Sequence, residues 1–309
     1  MRAVERHAGA ALVVPSSASL SERLGVTFWL AAMWIALVVF LAATAGLWPL
    51  PAPDRMDWSA PVAPPGTVGR LPAMGPGGET VETATLYLFG TDTMGRDIFA
   101  RLIFGARVSL AVGLATPLIG LLAGGALGLL AGFFRGRIEA VLNTAMDTIL
   151  AFPGLVLLLA VTFYLGRGLP HIITALGFLS IPAFFRVARA HTLALAEREF
   201  VAAARLQGQG SAAILVREIL PNIVMPLMVY ALLVVAYMIV AEGALSFLGM
   251  GVPPPTPSWG GMIAEGRERL STAPHVSLIP AAVMFLTVLA FNLMGDALRG
   301  LADRREGRA

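Results

Sequence analysis

Long apolar runs separated by short charged stretches dominate the chain. Six of them carry no charged residue: Val26 to Trp48, Val108 to Phe134, Thr148 to Gly166, Gly168 to Phe185, Ile219 to Ala241 and Val276 to Gly295. Each matches or exceeds the roughly 18 to 20 residues that a helix needs to cross the hydrocarbon core, so the pattern predicts six transmembrane helices. Pro117, Pro153, Pro182 and Pro226 interrupt four of these runs, freeing backbone groups that a neighbouring helix or an aqueous cavity must satisfy. Ala43-Thr44-Ala45 looks like a cleavage site after the first run, but that run exceeds the roughly 7 to 15 residues of a signal core and is read as a span.

The polar stretches between the runs are unequal. Residues 49–107 open with Pro49-Leu-Pro-Ala-Pro53 and Pro61-Val-Ala-Pro-Pro65, which predict extended chain. From Arg186 to Pro221 the chain leaves the membrane yet reads as helical, because His191 to Leu206 is rich in Ala, Leu, Arg and Glu. Gly208-Gln-Gly210 breaks that helix, and Ser211 is placed to cap a second short one. The expected order is a tail (1–25), a first transmembrane helix (26–48), an extracytoplasmic segment (49–107), a five-helix core (108–298) holding the inner loop 186–221, and a second tail (299–309).

Composition agrees with a polytopic all-α membrane protein: 57% of the 309 residues are hydrophobic and 13% charged, against about a quarter charged in soluble chains. All 22 basic residues are arginines and cysteine is absent. Without lysine there is no standard phosphate-loop lysine and no Schiff base, and without cysteine no thiol nucleophile or thiolate metal site. If the chain runs on ATP, a partner has to bind it. Placing the N-terminus inside puts Arg2, Arg6, Arg23, Arg135, Arg137, Arg186, Arg189, Arg198, Arg205, Arg217, Arg299, Arg304, Arg305 and Arg308 in the cytoplasm, 14 of the 22. That bias predicts both termini inside and accounts for the net charge of +3 without invoking nucleic acid.

Candidate chemistry is sparse. Gly120, Gly124, Gly128, Gly132 and Gly136 recur every fourth residue and form one face of the second span, suited to close helix packing within the chain or to a pore or subunit contact. Asp147, Glu242 and Asp296 fall at span ends, where a solvated or arginine-paired carboxylate is expected. His7, His171, His191 and His275 make no metal-ligand spacing, and Ser109, Ser180 and Ser246 have no paired base, so no metal and no catalytic residue are assigned.

Glu199-Phe-Val-Ala-Ala-Ala-Arg-Leu-Gln-Gly208, continued by Ile219-Leu-Pro221-Asn222, resembles the EAA loop of ABC-importer permease subunits. Glu199, Ala203, Ala204, Gly208, Leu220 and Pro221 fit its pattern. Ala202 stands where the general motif has Glu, and Glu218 where an Ile or, in the peptide branch, often a His is found. Gly90-Thr-Asp-Thr-Met-Gly-Arg-Asp97 with Arg101 and Gly105-Ala-Arg-Val-Ser-Leu110, then Ala244-Leu-Ser-Phe-Leu-Gly249 with Pro254-Pro-Thr-Pro-Ser-Trp-Gly260, and finally Asn292-Leu-Met-Gly-Asp-Ala-Leu-Arg299 are similar to the C-type subunit of dipeptide, oligopeptide and nickel importers.

The resemblance implies a type I importer permease fold in a bacterial or archaeal cell membrane, the inner membrane in a Gram-negative source. It also implies a B-type permease partner, two cytoplasmic ATPases that use ATP and Mg, and an extracytoplasmic binding protein, with no cofactor on this chain. Short peptides are the preferred substrate, nickel or another small solute the alternative. A secondary transporter driven by an ion gradient is the reading from another class, and it would want ionisable residues at mid-membrane and an internal repeat.

Overall fold

The computed structural model describes residues 20–74 and 80–306. Most of the expected N-terminal tail, with Arg2, Arg6 and His7, and Arg308 of the C-terminal tail lie outside the described residues. Five helical stretches are long and apolar enough to cross a membrane: Leu24–Leu47, Ile98–Phe134, Leu169–Ala196, Ser211–Phe247 and His275–Leu301. A sixth candidate is a bent pair, Gly136–Leu150 and Gly154–Leu165, whose axes meet at 81°.

The helices are α1 (Leu20–Thr44), α2 (Ile98–Ile119), α3 (Gly125–Phe134), α4 (Gly136–Leu150), α5 (Gly154–Leu165), α6 (Leu169–Ala196), α7 (Glu199–Leu206), α8 (Ser211–Ala213), α9 (Leu220–Phe247), α10 (Trp259–Gly266) and α11 (His275–Glu306). A π-helical turn, Gly120–Gly124, joins α2 to α3, and another, Ile214–Ile219, joins α8 to α9. Two large buried clusters and a small one of Ala131, Met146 and Phe185 hold the bundle. Val112, Leu176, Phe184 and Leu227 belong to the one that joins α2, α6 and α9. Val38, Leu102, Ile239, Trp259 and Phe291 belong to the one that joins α1, α2, α9, α10 and α11. Val26, Trp29, Leu30, Met33 and Phe40 of α1 stay exposed, as an apolar helix surrounded by lipid requires.

Four expected boundaries are corrected. The second helix starts at Ile98 rather than Val108, because the Asp97 carboxylate caps it, accepting the Phe99 N–H at 2.9 Å. Arg101 and Arg107 then sit on a helix where a charge-free run excluded them. Arg107 Nε donates to the Ala42 carbonyl at 2.6 Å, so its charge meets main-chain oxygen instead of lipid.

The third predicted helix, Thr148 to Gly166, is broken. Pro153 lacks an N–H and disfavours helical backbone at Phe152, so α4 ends at Leu150 and α5 starts in a new direction. The fourth continues past Phe185 to Ala196, because Arg186 pairs with Asp147 at 2.8 Å and Arg189 pairs with Glu139, which neutralises its charged turns. The helix expected over His191 to Leu206 is accordingly divided at Glu197 and Arg198.

Ser211 opens α8 without capping it, since Gly210 occupies the cap position, and the helix runs on into α9. Pro221 would crowd the carbonyl one turn before it, and the wider π-helical turn ahead of it relieves that clash.

The segment between the first two spans holds an antiparallel hairpin that its prolines concealed, β1 (Thr67–Met74) against β2 (Thr80–Tyr87), with Thr67 opposite Tyr87. Asp57 anchors it, accepting from Tyr87 Oη at 2.9 Å, Ser59 Oγ at 2.5 Å and the Arg70 amide at 3.1 Å. Burial works to raise the Asp57 carboxyl, but these donors and the Ser59 amide outweigh it and leave it below the usual range. Burial and the Asp57 carboxylate together push the Tyr87 hydroxyl well above its usual value.

Candidate functional site

Two ends of the bundle carry the residues singled out from the sequence. At one end α7 lies across the ends of α3, α6 and α9. Val201 and Ala204, three apart on one face, are buried among Ile214, Leu215 and Ile219. The opposite face is open: Phe200 is 38% exposed and Leu206 89% exposed, with Glu199 and Ala203 exposed beside them. Arg135, at the end of α3, pairs with Glu197, at the end of α6, at 2.8 Å, and the Arg205 guanidinium of α7 lies 5.5 Å over the Phe133 ring of α3.

Gly208 closes α7. The Gln209 N–H reaches the Ala204 carbonyl at 3.1 Å and the Gly208 N–H the Arg205 carbonyl at 3.0 Å, the two bonds of a Schellman motif. That motif requires a left-handed residue, and Gly208 has φ of +77°. Leu220 and Pro221 stand one π-helical turn further on, at the start of α9, so the six loop residues flank one short helix without converging on a pocket.

The glycine strip faces α6 of the same chain. A methyl group built at Gly124 would strike the Ile181 carbonyl, and one at Gly128 the Phe185 carbonyl and, at 2.7 Å, Ala188 Cβ. At Gly132 it would meet Thr192 Cβ at 2.7 Å, and at Gly120 it would strike Ser180 and Phe184. Gly136 is not part of this face: its φ of +57° turns the chain into α4, and nothing lies within 4 Å of a Cβ there.

At the hairpin end lies an ionic quartet that the sequence did not announce, three of its members buried and Glu265 partly exposed. Arg96 Nε lies 2.6 Å from Asp92 Oδ2, and its Nη2 lies 2.6 Å from Glu265 Oε2. Arg101 Nε lies 3.3 Å from Asp92 Oδ2 and its Nη2 3.1 Å from Glu265 Oε2. Two cations and two anions balance, which is how charges are tolerated away from water. The motif Gly90–Asp97 holds two of the four and Arg101 follows it, whereas Glu265 carried no signal. Trp259 locks α10 against α2 by donating from its main-chain N–H to Ser109 Oγ and from its indole Nε1 to the Leu102 carbonyl, both at 3.1 Å.

Of the three acids expected at span ends, Asp147 is paired with Arg186 and Asp296 is exposed. Glu242 is neither solvated nor arginine-paired: it is 0% exposed, and its Oε1 accepts from Ser246 Oγ and Ser258 Oγ, each at 2.8 Å. The helix continues to Phe247, past the expected end at Ala241, which draws Glu242 inward.

Residues 124–308 match the family described as binding-protein-dependent transport system inner membrane component. The glutathione transport system permease protein GsiD of Pectobacterium atrosepticum is 41% identical over 220 residues, 71% of this chain and 73% of that protein. Its namesake from Escherichia coli O6:K15:H31 is 45% identical over 215 residues, 70% and 71% of the two chains. An inward-facing structure of the methionine ABC transporter MetNI superposes with a TM-score of 0.53 at 18% identity, covering 64% of this chain and 94% of that one. With its membrane-spanning helices and these relatives, the chain belongs to the binding-protein-dependent transport system inner membrane component family, as the permease subunit of an ABC importer.

Proposed function

We propose that this chain forms half of the translocation path of an importer for short peptides or peptide-like solutes, and that it does no bond chemistry itself. It pairs with a B-type permease, receives its substrate from an extracytoplasmic binding protein, and is driven by two cytoplasmic ATPases that hold the ATP and Mg. The relatives named for glutathione transport support a peptide-like substrate. The arginine bias places α7 and both termini in the cytoplasm and the hairpin segment outside.

The observation that carries this reading is the two-faced α7. Val201 and Ala204 are buried in the same cluster as residues of α6 and α9, while Phe200, Ala203 and Leu206 face outward. A partner that grips the outward face therefore moves two spans together, because a close-packed interior transmits displacement. Glu199 and Arg205 flank the apolar patch with opposite charges, and Gly208, Leu220 and Pro221 set its angle to α9.

The test is reconstitution of the permease pair with its ATPases and binding protein in vesicles, scored by ATP-dependent uptake of labelled glutathione and dipeptides. Leu206→Asp should release the ATPases while the permease still inserts. Uptake that persists without the ATPases sinks the proposal. Orientation is checked with Val68→Cys and Ser211→Cys, both at exposed positions of a chain with no native cysteine. An impermeant thiol reagent on intact spheroplasts should label the first and spare the second.

A further inference from the structure

Between the C-terminal end of α9, the following connection and α10 lies a cleft of about 370 Å³, within the roughly 300–1,000 Å³ of small-molecule sites. Arg101, Arg167, Arg267 and a single acid, Glu265, are its charged lining. Glu265 Oε2 is already shared by Arg96 and Arg101, and with Asp92 that quartet is electrically balanced. Among the described residues, no carboxylate lies in ion-pair reach of Arg167 or Arg267. The cleft therefore carries two uncompensated positive charges.

Those two arginines are oriented. Arg167 Nη1 donates to the Gly249 carbonyl at 3.1 Å and Arg267 Nη1 to the Phe247 carbonyl at 3.2 Å, both at the end of α9 where carbonyls lack helical partners. The Arg267 guanidinium also lies 4.9 Å over the Phe247 ring. A guanidinium has five N–H donors in a planar fork, so each side chain is held by one and keeps the rest for a ligand. Thr256 adds a neutral hydroxyl to the lining.

We propose that this cleft is an outer binding site for a solute bearing a carboxylate, such as the C-terminus of a short peptide, with Arg167 and Arg267 supplying the charge. Planar carboxylates are the match for such forks, and a charge-assisted pair in a partly enclosed cleft orients as well as attracts. The proposal rests on the importer reading above and adds to it the chemical feature that this subunit recognises after the binding protein lets go.

The test uses the assembled permease–ATPase complex in nanodiscs without binding protein, and a diazirine-bearing dipeptide in two forms, the free acid and the C-terminal amide. The free acid should label residues 246–267 about tenfold more than the amide, the scale of one charge-assisted hydrogen bond. Unlabelled Ala-Ala should compete and Ala-Ala amide should not. The double variant Arg167→Gln/Arg267→Gln should lose the labelling about tenfold, and Arg167→Lys/Arg267→Lys, which keeps the charges, should restore part of it. Equal labelling by acid and amide, competition by inorganic phosphate as effective as by Ala-Ala, or unchanged labelling of the glutamine variant overturns the proposal. ATP-driven glutathione uptake by the same complex reconstituted in vesicles with binding protein reports separately on the importer reading, since the labelling needs no turnover.

Discussion

Ser258 Oγ donates to Glu242 Oε1 at 2.8 Å, tying the cap position of α10 to the body of α9. The same Ser258 oxygen accepts the Gly261 N–H at 3.0 Å, so one hydroxyl caps a helix and fastens it to its neighbour. Glu242 thus joins α9 to the start of α10. Replacing it tests whether an acceptor or a charge is needed. Glu242→Gln keeps a carbonyl acceptor in place and should unfold near the wild-type temperature in detergent. Glu242→Leu strands two hydroxyls and should cost about 1–3 kcal/mol for each.

The ionic quartet makes a sharper prediction, because its members cannot be removed singly without stranding a charge. Glu265→Gln leaves Arg96 and Arg101 facing Asp92 alone and should destabilise the chain by about 3–5 kcal/mol. Adding Arg101→Met restores one cation to one anion and should recover much of that loss. A double-mutant cycle on thermal unfolding in detergent measures the coupling; simple additivity would show that the quartet does not act as a unit.

Two neighbouring glycines should respond oppositely to alanine. At Gly125 the nearest atom to an added Cβ is Leu227 Cδ1 at 3.8 Å, an ordinary contact, whereas at Gly128 the methyl would press on the α6 backbone. Gly125→Ala should be neutral or stabilising by up to about 1 kcal/mol through helix propensity. Gly128→Ala should cost about 1–3 kcal/mol as α3 and α6 are forced apart. Equal effects would mean that α3 does not sit against α6 in this register.

Gly208→Val places a β-branched residue at a φ of +77°, which such side chains avoid. The expected result is normal insertion, weaker attachment of the ATPases and reduced transport. Co-purification of the ATPases at the wild-type ratio, with wild-type uptake, would remove the Schellman turn from the coupling mechanism.

Burial pushes the Asp97 carboxyl up from 3.8 to about 6, with the Phe99 and Ala100 amides pulling the other way. A carboxyl raised in the folded chain holds its proton more tightly there than when unfolded. Its contribution to stability is therefore full below about pH 4 and is lost as the pH rises through about 6. The size is about 3 kcal/mol for a shift of this order. Asp97→Asn retains an N-cap residue, so unfolding of the detergent-solubilised variant should lose that slope. A slope unchanged from wild type would assign it to another group.

The apolar runs alone determined the class of protein and the approximate places of the spans, because a bilayer imposes one length and one polarity on anything that crosses it. The glycine spacing likewise showed which face of the second span packs closely, since residues four apart share a face in any α-helix. Charge counting misplaced what depended on partners. Arg101 looked like a loop residue until Asp92 and Glu265 were beside it, and Glu242 looked like the end of a span until Ser258 was seen to cover it. In both cases the residue that makes burial tolerable comes from a distant part of the chain. Pro153 was visible, but the size of its effect, an 81° bend instead of a mild kink, was seen only in the structure. Whether a charge can be buried is decided by what surrounds it in three dimensions, and only the tertiary structure supplies those surroundings.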